Sequence, residues 1–223
     1  MHLSIAFFMK KIFITLLFVI AIVSIAFAWL SFTQTVKKFK ALHLPIKSKT
    51  VYLLSNTFIK LQSKSKDAKA FANKNKFNNR FCFLIDMSLP SGENRFFIYD
   101  FENDTISKSG LVTHGNCNQQ WLDGRKYDNT VGCGCTSLGK YKIGNAYYGK
   151  FGLAFKLYGL DKTNNNAFER YVVLHSHSCV PKEEVSDEIC QSNGCPTVSP
   201  GFLKELEPMI KNSKKPVLLW MFE

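Results

Sequence analysis

Beyond residue 80 the chain is built from short runs of aromatic and branched residues, none long enough for a substantial helix. They are "FCFLIDMS" (81–88), "RFFIYDF" (95–101), "TISKSGLVTHG" (105–115), "YKIGNAYYGK" (141–150), "LAFKLYGL" (153–160), "RYVVLH" (170–175) and "PVLLWMF" (216–222). Such runs, set apart by Gly, Pro and Asn, predict strands, and "LPSGEN" between the first two predicts a hairpin. A mainly β single domain follows, a sandwich or an irregular barrel with a few short helices. No repeat of fixed period is visible. One helix stands out after residue 80. Ser199 is placed to cap it, Pro200 takes the first helical position, and Phe202, Leu203, Leu206, Met209 and Ile210 share one face.

The N-terminus is of another kind. After Lys10 and Lys11, residues 12–32 (IFITLLFVIAIVSIAFAWLSF) carry no charge and make a hydrophobic helix long enough to span a bilayer. Within it, Ala26-Phe27-Ala28 is a small-x-small pattern of the kind a signal peptidase accepts. Residues 1–33 therefore read as a signal peptide or an uncleaved anchor. Lys37, Lys38 and Lys40 follow closely and, by the positive-inside rule, favour the opposite orientation with a cytoplasmic domain. Residues 34–80 read as a basic linker containing a helix, since Ala68, Phe71 and Ala72 fall at helical intervals; it tethers and helps cover the domain at 81–223. A hydrophobic fraction of 46% with 20 phenylalanines excludes a disordered protein. The net charge of +12 points to an acidic partner: nucleic acid, a membrane face or an anionic wall polymer. No RNP-type aromatic motif and no zinc-finger spacing is present, which argues against nucleic acid.

The candidate chemistry gathers near the C-terminus. His175 closes the strand-like "YVVL", a polar loop follows, and Cys195 returns directly after Gly194. A thiol is mostly protonated at neutral pH, and a neighbouring imidazole converts it to the nucleophilic thiolate. A compact turn at Gly194 lets the backbone amides of Asn193, Gly194 and Cys195 point at one spot as an oxyanion hole, with Ser192 holding the turn in shape. The competing reading is a metal site made from His175, His177, Cys179, Cys190 and Cys195, with Cys133 and Cys135 in reserve. Neither "CGC" nor "HSHSC" has the spacing of a tetrahedral zinc knuckle, so no metal is expected. The seven cysteines (82, 117, 133, 135, 179, 190, 195) leave at least one thiol unpaired if export allows disulfides. His177 reads as a loop residue. His114 either lines the cleft or packs, and Arg170 forms an ion pair or receives a substrate carboxylate. Tyr147 and Tyr148 wall the cleft or pack.

These motifs carry a resemblance. "LHSH…QSNGCPTVSP" resembles the active-site signature of the YkuD-like L,D-transpeptidases, and "TSLGKYKIG" (136–144) resembles their Thr-Pro-x-Gly-x-Phe-x-Ile element. With "VTHG" (112–115), "YYGKFG" (147–152) and "LYGLDKTNNNAFERYVVLH" (157–175), residues 81–223 are similar to the murein L,D-transpeptidase catalytic domain branch. The resemblance implies His175 as the catalytic histidine, oriented by the Ser176 carbonyl. It implies Cys195 as nucleophile, Asn193 and Gly194 in the oxyanion turn, and Ser192 as that turn's serine. Asn193 stands where many relatives have histidine or an aromatic residue, Ser137 replaces a common proline, and "GCGC" (132–135) replaces a serine-rich loop. The implied substrates are peptidoglycan stem peptides. A Cys195 thioester is passed to a neighbouring amine to form a 3→3 cross-link, and no cofactor is involved. Capture by water instead gives an L,D-carboxypeptidase or endopeptidase. A catalytically inactive envelope-binding module is the remaining alternative, and it is marked by Cys195 locked in a disulfide with a neighbour such as Cys190. The chemistry implies a periplasmic or cell-envelope location, with membrane contact through the N-terminal segment if it is uncleaved.

Overall fold

The computed structural model describes residues 48–223, with side chains from Asn56 onward, together with Ser24, Phe27 and Trp29 of the preceding segment. The expected signal peptide or anchor and the connector after it otherwise lie outside the described residues. Two compact units are distinguished, Met1–Asn56 and Thr57–Glu223. Among the described residues no helix is long and apolar enough to cross a membrane.

Among the described residues eight strands form one sheet: β1 (Phe81–Asp86), β2 (Phe96–Asp100), β3 (Thr105–Gly110), β4 (Gly139–Gly149), β5 (Gly152–Gly159), β6 (Val173–Ser176), β7 (Thr197–Val198) and β8 (Leu218–Phe222). Their spatial order is β3-β2-β1-β8-β4-β5-β6-β7. The β1/β8 and β6/β7 pairs are parallel and the others antiparallel. The two edges meet just past β3, where Val112 bridges Val198 and the Thr113 amide donates to the Thr197 carbonyl at 2.9 Å. This contact bends the sheet into an irregular barrel, so the mainly β fold expected from the runs is the fold observed.

Strand periodicity explains why the first runs are apolar throughout. Successive side chains point to opposite faces, and here both faces are covered. Phe83, Ile85, Phe96, Ile98, Leu219 and Met221 join one core with Phe202, Leu203 and Leu206 of the helix α2 (Pro200–Lys211). Cys82, Leu84, Phe97, Tyr99, Leu218 and Phe222 join a second core with Leu61, Ala68 and Ala72 of the helix α1 (Ser48–Lys74). Lys60 of α1 reaches over to the buried Asp86 at 3.0 Å, so the charge at the end of β1 is paired. The α2 start matches its sequence signals: the Ser199 hydroxyl accepts the Phe202 amide at 3.2 Å, and Pro200 occupies the first turn. Met209 and Ile210 pack half-buried against the same core.

Differences from the sequence reading lie at strand ends and in one additional short strand. The run at 105–115 divides into β3 and two isolated bridges, at Val112 and Gly115. The run at 170–175 yields a strand only from Val173, because a turn through Tyr171, with φ of +56°, precedes it. β7, with two residues, carries no period and was not anticipated. It nevertheless sets the site, because its register places Thr197 beside His175, which in turn pairs with Ala154 of β5.

Candidate active site

His175 projects from the short β6 and is almost fully enclosed, at 6% exposure. Phe151, at the tip of the β4/β5 hairpin, stacks on its ring with centroids 4.8 Å apart and a 21° tilt. Its Nδ1 lies 3.1 Å from the Ser176 carbonyl and its Nε2 lies 3.0 Å from the Thr197 hydroxyl. A carbonyl only accepts, so we assign the ring proton to Nδ1, which leaves Nε2 as the acceptor of the Thr197 O–H. Burial holds the imidazole below its ordinary pKa; the Ser176 bond opposes this and His177 adds to it. Both that shift and its cause favour the neutral ring.

Cys195 ends a tight turn. Ser192 Oγ donates to the Cys195 carbonyl at 2.7 Å and accepts the Gly194 amide at 3.1 Å, while the Ser192 amide is anchored on the His114 carbonyl at 2.8 Å. Of the three amides expected to serve an oxyanion, that of Gly194 is thus engaged inside the turn. Those of Asn193 and Cys195 have no partner among the described residues. Gly194 has φ of +102°, and a Cβ there would stand 2.4 Å from the Cys135 carbonyl oxygen, so only glycine fits. The Cys195 thiol donates to the Tyr171 carbonyl at 3.8 Å. Burial raises its pKa, and the Val173 backbone and the Arg170 guanidinium pull it back down. Thiol and imidazole line one cavity of about 220 Å³, whose walls include Thr113, Phe151, Asn193 and Thr197. Each is hydrogen-bonded to another group, and they are not bonded to one another in this structure.

Two disulfides brace this region. Cys179–Cys190 closes the loop that leads to the turn, and Cys117–Cys135 ties down the strip beneath Gly194. Cys82, Cys133 and Cys195 are free thiols. Cys190 is therefore paired elsewhere and Cys195 is not locked, and the disulfides withdraw Cys135, Cys179 and Cys190 from the metal-ligand set considered above.

Of the remaining candidates, His177 and Cys179 also line the cavity, whereas Arg170, Tyr148, Ser137 and His114 do not. Arg170 donates to the carbonyls of Asp128 and Cys135, supporting the floor of the turn without an ion pair. Tyr148 is 79% exposed near the hairpin tip. Ser137, the replacement for proline, hydrogen-bonds the buried Tyr141 hydroxyl at 2.7 Å. His114 is buried behind the turn, its Nδ1 accepting from Arg95 at 3.1 Å. Sequence reasoning passed over Thr197, Thr113 and Phe151. None was singled out, although Thr113, Phe151 and Thr197 stand inside the quoted "VTHG", "YYGKFG" and "QSNGCPTVSP" stretches.

The environment of His114 yields an expected result. Burial, then Arg95 and Arg125, lowers its pKa to about 4. Because the folded value lies below the unfolded one, the unfolded chain binds more protons between about pH 6.5 and 4. Stability is complete above that window and falls as pH drops through it. Urea titrations across the window should show the wild type losing on the order of 2–3 kcal/mol more than His114→Gln, which cannot titrate.

Comparison with known proteins places the chain in a family. The family model described as L,D-transpeptidase catalytic domain (YkuD_2) matches residues 55–220, most of the chain. The chain belongs to the L,D-transpeptidase catalytic domain family. The match begins upstream of residue 81 and takes in most of α1. Among solved structures, the chain is similar to the Ldtfm–avibactam carbamoyl enzyme, at 14% identity and a TM-score of 0.40, covering 65% of this chain and 49% of that one. It is also similar to the helical cell shape determining protein Pgp2 from Campylobacter jejuni, at 12% identity and a TM-score of 0.42, covering 64% and 47%. An L,D-transpeptidase from Mycobacterium smegmatis aligns at 10% identity and a TM-score of 0.38, covering 65% and 59%. The chain spans about half the length of the first two. A search of curated proteins returned no match.

Proposed function

We propose that this chain is a cysteine-dependent L,D-transpeptidase acting on peptidoglycan stem peptides, with Cys195 as nucleophile and His175 as base. The observation that carries this reading is the unpaired Cys195 thiol, set after a glycine-only turn with two free amides, in one cavity with an imidazole whose tautomer is set by Ser176. In the first step the thiol proton passes to His175 Nε2 while sulfur bonds to the carbonyl carbon that precedes the terminal D-Ala. Negative charge on the carbonyl oxygen is met by the Asn193 and Cys195 amides. His175 then returns the proton to the departing D-Ala nitrogen as the C–N bond breaks, leaving a thioester. In the second step a side-chain amine of a neighbouring stem bonds to the thioester carbon and gives a proton to His175 Nε2; the C–S bond breaks, the proton passes to sulfur, and the 3→3 cross-link is formed. No cofactor enters these steps.

The substrate lies outside the cytoplasmic membrane, and this places the domain in the periplasm or cell envelope. Residues 12–32 serve as its export signal and, if retained, as its membrane contact. The net charge of +12 suits an anionic wall polymer. The test is product analysis after incubation with a disaccharide tetrapeptide. Released D-Ala together with cross-linked dimers is expected. Trimmed monomers alone would replace the transferase by a carboxypeptidase, and intact substrate would overturn the reading.

A further inference from the structure

Thr197 is a buried hydroxyl, 3% exposed, that the steps above do not use. Parallel pairing of β6 with β7 sets it directly beside His175. Its Oγ1 has two acceptors in reach, His175 Nε2 at 3.0 Å and the Cys195 carbonyl at 3.3 Å. That carbonyl already receives Ser192 Oγ at 2.7 Å and Thr113 Oγ1 at 3.2 Å. A carbonyl oxygen has two lone pairs, so both are taken, and the single Thr197 proton belongs on Nε2.

We infer that the Thr197 hydroxyl is a cap on the catalytic base: its hydrogen bond occupies the Nε2 lone pair and keeps Cys195 a protonated, latent thiol at rest. This rests on the reading of Cys195 and His175 as nucleophile and base. Were Nε2 to take the thiol proton, the Thr197 hydroxyl would have to turn and accept from Nε2–H, and its own proton would be buried without a free acceptor. An unsatisfied buried donor is unfavourable, so the hydroxyl favours the neutral ring. A protonated thiol has an acceptor within reach in the Tyr171 carbonyl, 3.8 Å from the sulfur. Thr197 is thus a positioning residue that acts through His175. It lines the cavity, so a substrate group that accepts its proton uncovers Nε2 as it binds.

The test is the pH dependence of Cys195 alkylation by iodoacetamide in the full chain, read by peptide mass spectrometry so that Cys82 and Cys133 do not interfere. Thr197→Val keeps the branched shape and removes the hydroxyl. It should lower the apparent thiol pKa by about half to one unit and speed alkylation near pH 6 by about 3- to 10-fold. Thr197→Ser keeps the hydroxyl and should follow the wild-type profile. His177 beside the ring and Arg170 beside the sulfur are unchanged in every variant, so the shift isolates the hydroxyl. If the valine variant melts early, Thr197→Ala is read in its place. A profile that superimposes on the wild type, or moves to higher pH, overturns the cap. His175→Asn separates the two levels. If it leaves the wild-type profile unmoved, the nucleophile–base pairing fails; if it moves the profile while the valine variant does not, only the cap fails.

Discussion

His175→Asn should slow acylation of Cys195 by about 10²- to 10⁴-fold, the range for loss of a general base. Burial sets both reacting groups against ionisation: the imidazole is held low and the thiol is pushed up. Both directions favour an uncharged resting pair, so the proton moves as the substrate is attacked. Without the ring, sulfur has to ionise alone in a site that disfavours its charge, with only the Val173 backbone and Arg170 in support. Single-turnover acylation by a tetrapeptide substrate, followed against pH, measures this. The wild-type rate should climb with pH toward the thiol's pKa. The variant should climb later and from a far lower floor. Equal rates at pH 7 would remove His175 from the chemistry.

Gly194→Ala should produce a loss of similar kind by another route. A Cβ at this position would meet the Cys135 carbonyl oxygen at 2.4 Å, a backbone atom that Arg170 and the Cys117–Cys135 disulfide hold in place. The φ of +102° is strained for alanine even with space. The turn must therefore shift, and it takes the Asn193 and Cys195 amides with it. Displaced oxyanion donors are worth about 10²- to 10³-fold in rate. The diagnostic is a split between two reagents. Iodoacetamide forms no oxyanion and should still alkylate Cys195 at a rate near that of the wild type, whereas peptide acylation should collapse. Parallel losses with both reagents would mean that the substitution simply disorders the nucleophile.

The sheet was legible because its core strands are buried on both faces, so that Phe83 and Leu84, or Ile98 and Tyr99, give unbroken apolar runs. The capping of α2 by Ser199 was legible for a local reason, since its partner lies three residues away. The barrel closure at Val112 and Val198 was not, because such a bridge depends on long-range register and leaves no local pattern. The same holds for Thr197: its position beside His175 comes from a two-residue strand, and a threonine two places after a cysteine signals nothing by itself. His114 and Arg170 were recognisable as polar groups near the site, but His114 accepts from Arg95 and Arg170 donates to the Asp128 and Cys135 carbonyls, outside the cavity. Cysteine pairing was likewise beyond a count of seven. It took the folded loops to bring Cys117 to Cys135 and Cys179 to Cys190.

The most direct test of the central claim is peptide mapping of the intact chain quenched in acid during turnover of a disaccharide tetrapeptide. The account predicts a mass increment equal to the substrate less D-Ala, carried on the peptide containing Cys195 and removed by hydroxylamine as a thioester would be. Released D-Ala with no adduct on Cys195, or an adduct on Cys133 instead, would contradict it.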